Sequence, residues 1–169
     1  IVAGDDIEDT YKLLLKIHKK LDLIRNEKLT FDYLEKITNI DGYIHKNTDK
    51  YKLFSTQNEK LFSLFPKSFY PDHVIFLGPG IPTFLEDKEA NEFIQNLKRK
   101  NIDLPPYLIL KYKGLFENTL AIPAAKEMID CFLEVLLRID LSKSLKFLSS
   151  LQESELLNWD IEIYRQSIN

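Results

Sequence analysis

The sequence predicts an α/β fold: a small sheet covered by helices in a three-layer α/β/α-like arrangement. Short, continuous apolar runs at 74–77 and 108–110 stand between turn signals, as buried strands do. Longer segments between and around them carry apolar residues every three or four positions, the pattern of one helix face. Alternation of the two patterns marks a layered unit rather than a bundle or a sandwich.

Taken in order, Asp5 and Glu8 have the spacing of a capping box. They predict a helix to about Arg25, with Ile7, Tyr11, Leu14, Ile17, Leu21 and Ile24 on its apolar side. A short helix over 31–37 follows, capped by Thr30. Asn39, Asp41-Gly42 and Asn47 then mark turns. Thr56 and Glu59 predict a helix that Pro66 stops. The first strand is Val74-Ile75-Phe76-Leu77, and Gly78-Pro79-Gly80-Ile81-Pro82 forces a loop after it. A helix over 87–100 shows Ala90, Phe93, Ile94 and Leu97 on one side. Leu108-Ile109-Leu110 is the second strand, and Leu115-Phe116 pairs as a short third segment. Pro123 opens the longest helix from a first-turn position, where a missing amide costs nothing. Two short helices are expected over 142–148 and 152–159, with an aromatic tail through Tyr164.

The chain has 169 residues, of which 44% are apolar and 29% charged, enough for one domain with a true core. The net charge is -3, and lysines are interleaved with acids. The exception, Lys98-Arg99-Lys100, closes a helix, where the dipole favours cations. The basic stripe of a nucleic-acid binder is missing, so no nucleic-acid partner is expected. No apolar run approaches the roughly 20 residues that span a bilayer, and no leader pattern is seen, so no membrane partner is expected either. Cys131 is the single cysteine and reads as a reduced thiol, which places the protein in the cytoplasm. Ile1-Val2-Ala3-Gly4 reads as the end of a strand, so further residues are expected upstream.

Chemistry-bearing residues are few. His18, His45 and His73 are 27 and 28 positions apart, without the close spacing of HxH or HExxH. No metal ligand and no catalytic residue is assigned. His18 borders a helix face and His45 lies among turns, both plain structural positions. Asp72-His73 is different, because a carboxylate beside an imidazole can orient or charge it. Gly78-Pro79-Gly80 follows the carboxyl end of the expected strand, the edge where open α/β sheets hold ligands. It is no phosphate loop, since Pro79 removes an amide that a cradle needs. Asp72, His73, Gly78 and Gly80 are therefore the binding candidates, set against a packing histidine and an ordinary tight turn. Asp5-Asp6 and Glu86-Asp87 are explained by helix starts, and no serine sits in a GxSxG elbow. Phe147, Trp159 and Tyr164 are expected to pin the tail to the domain or to a neighbouring subunit.

Three segments resemble the class II aldolase/adducin family, in particular its long members with an extended C-terminal portion. They are Ile1-Val2-Ala3-Gly4-Asp5 with the helix after it; Tyr70-Pro71-Asp72-His73-Val74-Ile75-Phe76 with the later Pro106-Tyr107-Leu108-Ile109-Leu110 and Gly114; and Leu156-Leu157-Asn158-Trp159-Asp160 with Tyr164-Arg165. Lys113-Gly114-Leu115 has one glycine where the family often has Gly-x-Gly. The resemblance implies that residues 1–28 end an aldolase-like domain. Residues 40–169 then form an associated α/β unit with a helical C-terminal tail. It implies that the complete protein is a zinc-dependent lyase acting on a sugar or sugar phosphate. Zinc, held by three histidines, polarises the substrate carbonyl. The last of these histidines, in Asn-His-Gly, would precede Ile1, so this chain alone binds no zinc. The implied partners are the chain's own upstream segment or a partner chain, with a homo-oligomer expected. The alternative is a non-catalytic, adducin-like scaffold or an oligomerisation or binding module.

Overall fold

The computed structural model describes residues 6–22 and 39–159. The strand end at 1–4, the cap at Asp5, the helix expected over 31–37 and the tail with Asp160, Tyr164 and Arg165 lie outside the described residues, as does the first helix beyond Asp22.

Helix α1 spans Ile7–Asp22. Asp6 caps it, its Oδ1 accepting from the amides of Glu8 (2.6 Å) and Asp9 (3.2 Å). Strand β1 (Tyr43–His45) and a 3-10 helix (Asp49–Ser55) lead to the short helix α2 (Glu59–Phe62). Asn58 caps α2 through the amides of Lys60 and Leu61, while Thr56 Oγ1 accepts from the Asn58 amide. Then come α3 (Pro71–Leu77), β2 (Thr83–Phe84), α4 (Asp87–Arg99), β3 (Tyr107–Leu110), β4 (Gly114–Asn118), α5 (Pro123–Arg138) and α6 (Ser150–Leu157).

The sheet order is β1-β4-β3-β2. β4 runs antiparallel to both neighbours, pairing Tyr43 with Asn118 and Ile109 with Leu115. β2 runs parallel to β3, with Thr83 opposite Ile109. Successive side chains on a strand point to opposite faces. Tyr107 and Ile109 accordingly enter one core with Phe54, Phe65, Ile129, Phe132 and Leu133. Leu108 and Leu110 enter a second with Ala90 and Ile94 of α4. α4 thus covers one face of the sheet and α5, with the 53–65 segment, the other. Three layers result, as the apolar pattern predicted.

The segment 74–77 is not a strand. Pro71 occupies the first turn of a helix with Asp72 beside it, and His73, Val74 and Leu77 are all buried on α3. A short apolar run looks alike in a buried strand and in a buried helix turn, and Pro-Asp at its head favours the helix. The parallel strand is Thr83–Phe84, two residues with no pattern of their own. The helix expected over 142–148 is also absent. Asp140 Oδ1 captures both the amide (2.9 Å) and the hydroxyl (2.6 Å) of Ser142, which turns the chain. Leu141, Leu145 and Phe147 still pack against the core, and the Leu148 amide donates to Ser68 O. Among the described residues no helix is long and apolar enough to cross a membrane.

Candidate functional site

Gly78 ends α3 with φ 90° and ψ 177°, its amide donating to Val74 O at 3.1 Å. It borders a cleft of about 700 Å³ between the last turn of α3, the α4–β3 connection and the β4–α5 turn. That volume is in the range of small-molecule sites. The walls are mainly apolar, with Ile75, Leu104, Leu120 and Ile122 among them.

Two of its polar side chains, Asn118 and Lys98, are engaged elsewhere in the fold, and Asp103 adds a carboxylate to its wall. Asn118 is buried at the end of β4, its Oδ1 accepting from the Leu120 amide (2.9 Å) and its Nδ2 donating to Pro105 O (3.3 Å). It therefore braces the turn that forms one wall. Lys98 Nζ sits 2.6 Å from Asp41 Oδ2, and this hydrogen bond and charge hold the Asp41 carboxyl below the usual range. Asn101, with φ 53°, closes α4 in the left-handed conformation that asparagine tolerates. The cleft offers a mainly apolar wall with a few polar side chains at its α4–β3 edge.

Of the four candidates, only Gly78 reaches this cleft. Gly80 lies against the backbone of Pro66, where an added Cβ would stand 2.4 Å from the carbonyl oxygen. Its role is close packing. Asp72 stands in the first turn of α3. His73 is fully buried, with its ring centroid 4.7 Å from that of Phe132, 5.7 Å from Tyr70 and 6.4 Å from Phe69. Among the described residues neither ring nitrogen has a hydrogen-bond partner. Burial pushes its pKa down to about 4, so it is neutral at pH 7. Burial of the ring is the cause of that shift. His18 lies on α1, while His45 Nε2 is 2.7 Å from Lys113 O and its ring stacks on Phe116. Among the described residues no three His, Cys, Asp or Glu side chains are placed to hold a metal ion.

A second polar cluster had no sequence signal, because its members come from four separate segments. Glu117 accepts from the buried Tyr107 hydroxyl (3.1 Å) and lies 3.2 Å from Lys46 Nζ and 3.6 Å from Lys126 Nζ. Burial raises its pKa, but the Lys46 and Tyr107 hydrogen bonds and the two ammonium charges outweigh this and leave it lowered. Beside it, Tyr51 donates to Asp130 (2.7 Å), which also pairs with Lys50 (2.6 Å). Burial pushes both tyrosines up, so they act as neutral donors. The network ties β4 to β1 and α5. Glu117→Ala strands the Tyr107 hydroxyl and is expected to cost about 2 kcal/mol in urea unfolding. Glu117→Gln, which still accepts from Tyr107, should recover part of that loss.

Comparison with known proteins gives no match to a family model, a curated protein or a solved structure.

Proposed function

We propose that the chain is the C-terminal portion of a cytoplasmic class II aldolase-like protein, whose complete form is a zinc-dependent lyase acting on a sugar or sugar phosphate. The observation that carries this reading is α1. Its apolar side is spaced for burial, yet Ile7 is 91% exposed, Tyr11 58% and Leu14 49%. A helix of this composition is made to be covered. In the aldolase-like reading, the domain that residues 1–28 complete covers it. The three zinc-binding histidines belong to that upstream part, and the described residues supply none of them. The contribution of this unit is the scaffold behind the metal and the cleft at Gly78.

The test is zinc analysis of the full-length protein, followed by an assay for aldol cleavage of sugar phosphates. About one zinc per chain, with activity lost to a chelator, is expected. Protein that binds no divalent metal and cleaves no sugar phosphate after zinc loading would sink the reading. The same exposed side of α1 also favours a non-catalytic, adducin-like scaffold that assembles as a homo-oligomer. Metal-free protein that forms a defined oligomer in light scattering would select it.

A further inference from the structure

We propose that the groove between α6 and the start of α3 binds a small organic cation, an ammonium or guanidinium group carried on an apolar body. The site is separate from the Gly78 cleft and independent of the aldolase-like reading. Gln152, Glu155, Leu156 and Trp159 stand at i, i+3, i+4 and i+7, so α6 and its final turn present them as one stripe. Pro71 and Leu148 face that stripe and enclose about 480 Å³ with it.

The groove is built on fixed parts. Ser149 and Gln152 form a capping box at the start of α6. At its end Asn158 Nδ2 donates to Ser154 O (2.7 Å), and the Trp159 amide donates to Leu156 O (3.2 Å). The Leu148 amide is held by Ser68 O (2.9 Å). Ligand affinity is therefore not spent on ordering these walls.

The chemistry of the lining selects the ligand. Trp159 is the only tryptophan of the chain and stays 55% exposed at the rim. An indole face is the best aromatic partner for a cation. Glu155 supplies a negative charge, and it makes no ion pair among the described residues. Among the described residues no lysine or arginine lines the groove, so none of them cancels that charge. An anion is repelled, and a neutral apolar ligand desolvates the carboxylate without pairing it. A cation with an apolar body satisfies both, seating its body on Pro71, Leu148 and Leu156.

Because Trp159 is unique, tryptophan fluorescence of the chain reports on this groove alone. Titration with benzyltrimethylammonium is expected to give a saturable change in emission that weakens as sodium chloride is raised. Benzyl alcohol, with the same ring and no charge, is expected to give no saturation. Glu155→Gln, at an exposed helix position with no ion-pair partner among the described residues, keeps its circular dichroism and should weaken binding at least about threefold. A response that never saturates, equal affinity for benzyl alcohol, or a Glu155→Gln variant as tight as the parent would each overturn the proposal.

Discussion

Gly80→Ala is expected to lose more than about 3 kcal/mol of stability, a large fraction of what holds a domain of ordinary stability together. Two costs combine. Gly80 has φ +74°, in the left-handed region where a side chain costs roughly 1–2 kcal/mol. Its new Cβ would also stand 2.4 Å from Pro66 O, 2.5 Å from Pro66 C and 3.0 Å from Pro66 Cα. Those atoms are backbone and have no rotamer to escape into. The loop cannot retreat as a whole either, because the Ile81 amide donates to Phe65 O at 3.0 Å, and both Ile81 and Phe65 are wholly buried. Gly78→Ala is the informative comparison. Gly78 has φ 90° and ψ 177°, a region essentially reserved for glycine, but an added Cβ there meets nothing within 4 Å. Strain alone should cost about 1–3 kcal/mol. Urea unfolding of both variants checks the ranking. If Gly80→Ala were no worse than Gly78→Ala, the close approach to Pro66 would be wrong. A ligand-binding role for Gly80 predicts the opposite pattern, normal stability with altered binding.

These two glycines show what a sequence can and cannot carry. Gly78-Pro79-Gly80 announced a turn, because glycine and proline restrict the backbone locally. Which glycine opens on a cleft and which touches Pro66 depends on residues more than ten positions away. The same division runs through the fold. α4 and α5 were legible over nearly their whole length, since 13 and 16 residues give the helical period several repeats. β3 was legible because Leu108-Ile109-Leu110 is buried on both faces of the sheet, which demands continuous apolar character. β1 and β2 were not. They have three and two residues and are strands only because β4 and β3 lie beside them. α3 was mistaken for a strand because seven residues, mostly apolar, carry no period. That error also placed Gly78 after a strand, whereas it ends a helix and borders a cleft. The Glu117 network was invisible for the reason that hides most polar clusters: its partners meet only in the folded chain.

His73 leads to the second large effect, an acid-sensitive step in stability. The unfolded chain protonates this histidine near its ordinary value of 6.5, whereas burial holds the folded value at about 4. Between those values the unfolded state binds more protons. The stability that neutral His73 allows is fully present above about pH 6.5, is lost as pH falls through the window, and changes no further below about pH 4. The difference corresponds to about 3 kcal/mol. The carboxylates whose pKa is lowered, Asp41, Asp49, Asp140 and Glu117, lose their contributions only below ordinary carboxylate values, so their window lies under that of His73. His73→Phe keeps a ring among Phe69, Tyr70 and Phe132 and removes both unpaired nitrogens. It should match or exceed the parent at pH 7, since a buried donor without a partner costs about 1–3 kcal/mol. Its stability should also stay nearly level from pH 6.5 to 4.5, where the parent declines. His73→Gln separates polarity from titration: it should be weaker than the parent at pH 7 yet equally level across the window. Urea midpoints of the three proteins at pH 7, 6, 5 and 4.5 decide the matter. A parent whose midpoint does not fall over that range, or a His73→Phe variant that falls in parallel with it, would mean that His73 is not the group that titrates. The imidazole would then have a partner in the folded state.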